Sequence, residues 1–115
     1  MLMKIHAPSL KLYSHWILKI SDMNISIFVS NIIMDRREIY KKLKNNPKNV
    51  RFEELCKAAE LFGFRFRGGK GSHRVYVKGG IKEILNFQNV KGKAKPYQVR
   101  QLLKVIEKYN LLEEE

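Results

Sequence analysis

The chain has 115 residues, with 23 Lys or Arg against 11 Asp or Glu and a formal net charge of +12. That length holds one domain with a modest core, and so large a basic excess points to a polyanionic partner, nucleic acid before membrane surface or acidic protein. The single cysteine, Cys56, excludes an internal disulfide and fits a reducing compartment; with only His6, His15 and His73 beside it, there is no structural zinc set.

Residues 1–33 carry only Lys4, Lys11, Lys19 and Asp22 as charges. The stretch 16–33 leans apolar, but Lys19, Asp22, Asn24, Ser26 and Asn31 interrupt it, whereas a membrane span needs roughly 20 mostly apolar residues. No compact signal-peptide core precedes a small-residue cleavage site. A cytoplasmic location is therefore expected, with no membrane partner. The β-prone residues at 24–33 predict a strand or a loose segment. Composition changes at Met34, so 1–33 reads as an N-terminal extension, upstream of a biological start at Met34 or poorly ordered, and 34–115 reads as the folded domain.

Ile39, Tyr40 and Leu43 predict a helix of about two turns, ended by Asn45-Asn46-Pro47. A stronger helix follows, because Phe52, Leu55, Cys56, Ala59 and Phe62 repeat at the spacing of one buried face. Glu53 and Glu54 suit its first turn, and Gly63 suits a left-handed cap at its end. On that face Cys56 is expected to be a buried, inert thiol.

Three strands come next. At 64–67 apolar and basic residues alternate, which puts Phe64 and Phe66 in the core and Arg65 and Arg67 outside. At 72–78, Val75 and Val77 are assigned to the core, leaving Arg74, Tyr76 and Lys78 on the open side, where Tyr76 is a candidate for stacking on a base. Gly79-Gly80 is a permissive two-residue hairpin turn into 81–88, a strand whose register the pattern leaves undecided. Residues 89–95 read as a basic loop. Pro96 opens the last helix, Val99, Leu102, Leu103, Ile106 and Tyr109 mark its buried stripe, Asn110 ends it, and the acidic residues at 113–115 are expected to fray. The fold class is α+β, ordered α-β-β-β-α: a three-stranded antiparallel sheet with both helices on one face and the other face open.

The chemistry concentrates in Arg67-Gly68-Gly69-Lys70-Gly71-Ser72-His73-Arg74. Glycines there permit positive φ and close backbone approach, and the cations invite a phosphate. These glycines match neither a Walker loop nor a dinucleotide fingerprint, so no small-molecule cofactor is expected. An imidazole exchanges a proton near neutral pH. Beside an RNA phosphate it is placed to deprotonate the 2′-hydroxyl, whose oxygen then attacks phosphorus to give a 2′,3′-cyclic phosphate, while Lys70 or a neighbouring arginine stabilises the developing charge. That route requires no metal. The residues alone leave His73 two roles: this general base, or only a phosphate or hydrogen-bond contact on a partly buried strand. The remaining RNA-binding candidates are Lys70, Gly71, Ser72, Arg74, Arg65, Arg67 and Lys95, with Ser72 orienting the turn. Tyr97 and Gln98 are read as structural.

Gly71-Ser72-His73 after a helix ending in Gly63-Phe64, then Leu85-Asn86-Phe87-Gln88 and Lys95-Pro96-Tyr97-Gln98-Val99, resembles the HicA toxins of bacterial and archaeal toxin–antitoxin pairs. The resemblance runs from about Asn49 to Leu111. It implies a double-stranded-RNA-binding-domain-like fold, a metal-independent, ribosome-independent mRNA interferase activity with His73 as the single catalytic histidine, mRNA as substrate, and a HicB-type antitoxin as partner. Relatives often carry an aromatic residue or histidine directly after the motif histidine; this chain has Arg74. Two rival readings stay open: a non-catalytic RNA-binding module, and a degenerate toxin that retains only antitoxin binding.

Overall fold

The computed structural model describes residues 25–113. The chain divides into two compact units, Met1–Ile32 and Ile33–Glu115; of the first, only the opening residues of a helix are described. What was expected of 1–24, of His6 and His15, and of Glu114 and Glu115 lies outside the described residues. The elements are helix α1 (Ile25–Asn45), helix α2 (Phe52–Leu61), strands β1 (Arg65–Gly68), β2 (His73–Lys78), β3 (Ile81–Val90) and β4 (Lys93–Ala94), helix α3 (Pro96–Lys108), and a 3-10 turn at Leu111–Glu113. The class is α+β with an antiparallel sheet of order β1-β2-β3-β4.

Helix α1 corrects two expectations. From Ile25 onward the β-prone stretch is helical rather than extended, and the two-turn helix around Ile39 is the end of a 21-residue element. Extending an existing helix adds one hydrogen bond for each residue fixed, so β-branched residues join a helix that they would not nucleate. The stop at Asn45 is where Asn46 and Pro47 place it. Within the second unit α1 is held by Arg36, 8% exposed. Its Nε donates to the Leu61 carbonyl at 3.0 Å, its Nη1 donates to the Leu111 carbonyl at 3.3 Å, and its guanidinium lies 5.7 Å from the Phe62 ring centroid. One cation thus satisfies carbonyls at the ends of two other segments.

Helix α2 forms as its periodicity demands, with Phe52, Leu55, Cys56, Ala58 and Ala59 buried. Glu54 accepts the otherwise unpaired Arg51 N–H at 3.0 Å. Gly63 closes the helix at φ +96°. In α3, Pro96 stands in the first turn, the expected stripe is buried through Ile106, and Asn110 takes φ +52° just past the end.

The sheet has four strands rather than three. The expected basic loop at 89–95 contains a hairpin: Val90 pairs with Lys93 and Asn89 with Ala94 around Lys91 and Gly92, both at positive φ. Asn89 Oδ1 accepts the Gly92 N–H at 2.6 Å, which secures the turn. Two positive-φ residues match the twist of a tight hairpin, but Lys at the first of them hides the signal. The Gly79-Gly80 turn is present, flanked by the Lys78–Ile81 pair.

A further correction concerns which side of β2 is inside. Tyr76, Leu85 and Phe87 are fully buried in one core with Leu55, Ala59 and Phe62 of the α2 segment and Val99, Leu102 and Ile106 of α3. Tyr76 is therefore not a stacking residue on the open face. Its hydroxyl donates to Glu60 Oε2 at 3.2 Å, so the largest apolar surface on β2 is buried without stranding a polar atom. Burial also pushes the phenol's pKa well up. Val75 and Val77 lie on the opposite, half-exposed side. Phe64 is buried as expected, but Phe66 is 55% exposed. It packs edge-on against Tyr76 at 5.9 Å from the edge strand β1, with nothing beyond it in the sheet.

Among the described residues, no helix is long and apolar enough to cross a membrane.

Candidate active site on the open sheet face

Because side chains alternate along a strand, turning Tyr76 inward turns His73, Val75 and Val77 outward. Cross-strand partners share a face: His73 stands opposite Gln88, Val75 opposite Asn86, and Val77 opposite Arg65. The open face therefore carries the polar group His73, Asn86 and Gln88, bordered by Val75, Val77 and the 52% exposed Ile84. His73 is exposed at the first position of β2. With Tyr76 rather than Val75 and Val77 on the core side of β2, His73 falls on the exposed side.

The turn before it is built on the main chain. His73 N–H donates to the Lys70 carbonyl at 3.1 Å, and the Ser72 carbonyl accepts Asn89 N–H at 2.9 Å. Ser72 thus enters the sheet through its backbone. Gly71 sits at φ +62°, in the left-handed region. Gly69 is needed for a different reason: a Cβ there would stand 2.0 Å from the His73 carbonyl oxygen and 2.8 Å from its carbon. The turn folds back onto the backbone of the residue it presents.

The imidazole is oriented from β3. His73 Nδ1 lies 3.3 Å from Asn86 Oδ1, a diagonal contact across the β2–β3 ladder. Asn86 in turn sits where β3 has no partner strand on its other edge, because β4 pairs only with Asn89 and Val90. Gln98, 4% exposed, fills that edge. Its Nε2 donates to the Asn86 carbonyl at 2.8 Å and its Oε1 accepts Gln88 N–H at 2.8 Å. The side-chain amide replaces the missing strand, the structural role expected of it. Asn86 itself was legible only as part of the Leu85-Asn86-Phe87-Gln88 run; without the register of 81–88, nothing linked it to His73.

The cations divide. Lys70 is exposed in the turn, Arg65 shares the face of His73, and Arg67 is the extra residue of a bulge between the Phe66–Tyr76 and Gly68–Val75 pairs. Arg74 does not join them. It lies on the core-side parity of β2, 5.9 Å from the Phe52 ring centroid and 5.5 Å from that of Phe66, where it covers the exposed Phe66 ring. Lys95 precedes α3 and lies 6.0 Å from the Tyr97 ring. Lys93 is already engaged, its Nζ donating to Asn49 Oδ1 at 2.8 Å. Cys56 is buried, and that burial raises its thiol pKa, as befits an inert core thiol. No group of three or more His, Cys, Asp or Glu with metal-binding geometry occurs among the described residues.

Comparison with curated proteins and with solved structures gave no match. A family model, the HicA toxin of bacterial toxin–antitoxin systems, matches residues 52–107. That span starts with α2, ends in α3, and includes the glycine turn, His73, Asn86 and Gln98. The segment that builds this site belongs to the HicA toxin family.

Proposed function

We propose that the protein is the toxin of a toxin–antitoxin pair and acts as a cytoplasmic, metal-independent endoribonuclease on mRNA, with His73 as general base. One observation carries this reading: His73 stands exposed on an open sheet face, at the end of a turn that binds its backbone, with Lys70 and Arg65 on or beside that face. The imidazole removes the 2′-hydroxyl proton. The O2′–phosphorus bond forms as the phosphorus–O5′ bond breaks, O5′ takes a proton from water, and the imidazolium returns its proton to solvent. The products are a 2′,3′-cyclic phosphate and a 5′-hydroxyl. The nucleophile belongs to the substrate and is already next to the phosphorus, so positioning, proton removal and charge stabilisation suffice. Lys70, Arg65 and Arg67 hold phosphates, and Gly71 and Ser72 shape the turn. The region 34–115 is the toxin domain, and its α-β-β-β-α kernel suits the double-stranded-RNA-binding-domain-like fold of the family. A HicB-type antitoxin, covering this face, is the protein partner.

The test incubates the purified full chain with an mRNA in the presence of EDTA, beside His73→Ala. Fragments ending in cyclic phosphate are expected, with a rate loss of about 10²-fold or more in the variant and unchanged RNA binding. Wild-type protein that binds RNA without cutting it would replace this reading with a binding module. Protein that neither binds nor cuts RNA, yet binds the antitoxin, would be a degenerate toxin.

A further inference from the structure

We infer that Asn86 is a positioning residue for His73: its side-chain oxygen accepts the imidazole Nδ1–H and thereby fixes the tautomer whose Nε2 is free to take a proton. The inference rests on the reading of His73 as a general base and specifies which nitrogen does the work. The amide oxygen of Asn86 has no proton to give, so a hydrogen bond at the 3.3 Å separation places the proton on Nδ1. A neutral imidazole with a proton on Nδ1 has its acceptor lone pair on Nε2, at the far end of the ring from Asn86 and from the sheet. A histidine side chain free in water favours the other tautomer, with the proton on Nε2, so an unassisted His73 would present mainly a donor where the 2′-hydroxyl needs an acceptor.

Asn86 is fit for this because its own position is fixed from both sides. On one edge β3 is paired with β2, with Asn86 opposite Val75. On the other edge the buried Gln98 amide bonds the backbone at Asn86 and at Gln88. Helix α3 thus holds the strand that holds the imidazole, a second layer of support behind the reacting group. The charged groups on this face or its rim are Lys70 and Arg67 near the turn, Arg65 on β1, Lys82 on β3 and Lys93 on β4. None of them is a carboxylate that would compete with Asn86 for the Nδ1 proton.

The test reads the tautomer directly, by nitrogen–proton correlation NMR of the imidazole in the 15N-labelled full chain without RNA, with His73 assigned against His73→Ala. The expected wild-type spectrum above the imidazole pKa has a protonated Nδ1 and an unprotonated Nε2. Asn86→Leu, which removes the acceptor, is expected to shift His73 toward the Nε2–H form and to lower the cleavage rate about 10- to 100-fold, with little change in KM. Asn86→Asp keeps an acceptor and adds a charge, so it is expected to keep the Nδ1–H form and to move the acid limb of the pH–rate profile upward. It also serves if Asn86→Leu fails to fold. A wild-type His73 protonated on Nε2, or a tautomer unchanged by Asn86→Leu, would overturn the inference. If the spectra are as expected but no RNA is cut, the assignment of Asn86 stands and the endoribonuclease reading falls.

Discussion

Replacing Gly69 by alanine links the turn to the chemistry in one experiment. A Cβ at Gly69 would meet the His73 carbonyl oxygen at 2.0 Å, its carbon at 2.8 Å and the Arg74 Cα at 3.0 Å. Real Cβ atoms essentially never approach closer than 3.0 Å, so turn and strand must separate by about 1 Å or more. All three atoms are main chain, so no side chain can rotate away to relieve the contact. Forced overpacking of this kind costs about 1–3 kcal/mol, which for a unit of this size lowers Tm by about 5–20 °C. The displaced residue is His73, the proposed general base, and a misplacement of about 1 Å at a reacting group reduces rate by about 10²-fold. The matched control is Gly79→Ala, in the β2–β3 hairpin, where an added Cβ has nothing within 4 Å and φ is not positive; its stability is expected within about 0.5 kcal/mol of wild type. Thermal melts and cleavage of a labelled RNA are measured on all three proteins. Gly69→Ala with a Tm within about 2 °C of wild type and a cleavage rate within about threefold would refute this account of the turn.

Glu83 predicts a pH dependence of stability. Its carboxyl is held down at about 2, against an ordinary 4.5, because Lys108 and then Tyr109 donate to it. A depressed folded-state pKa contributes stability above pH 4.5 that is lost as pH falls through about 2. The Tm advantage of wild type over Glu83→Gln should therefore shrink between those pH values, and an advantage that stays constant across them would contradict the assignment. Arg36→Met keeps apolar packing but removes the donors to Leu61 and Leu111. A loss of about 2–4 kcal/mol is expected in urea unfolding, and a loss below about 0.5 kcal/mol would show that α1 is held by other contacts.

Local patterns were sufficient wherever one helix face or one turn decided the outcome. The α2 stripe from Phe52 to Phe62, the left-handed Gly63, the Gly79-Gly80 hairpin and the Pro96 start of α3 all follow from spacing and backbone sterics, and all are present. The Gly71-Ser72-His73 run, with the segments after it, was likewise enough to point to the family. Three features needed the tertiary structure. The length of α1 depends on cooperative propagation and on Arg36 reaching Leu61 and Leu111, contacts 25 and 75 residues away in sequence. The fourth strand depends on a Lys91–Gly92 turn whose first residue carries no turn signal. Most of all, the inward side of β2 could not be read from alternation, because valines fall on one parity and a tyrosine on the other. Only packing decides between them: Tyr76 fills the space between Phe87 and the edge of β1 and finds Glu60 for its hydroxyl. That choice turns His73 toward solvent and sets Asn86 beside it. The glycine turn that presents His73 is encoded locally, but Asn86 becomes its neighbour only when the β2–β3 register is set by burying Tyr76, Leu85 and Phe87 together.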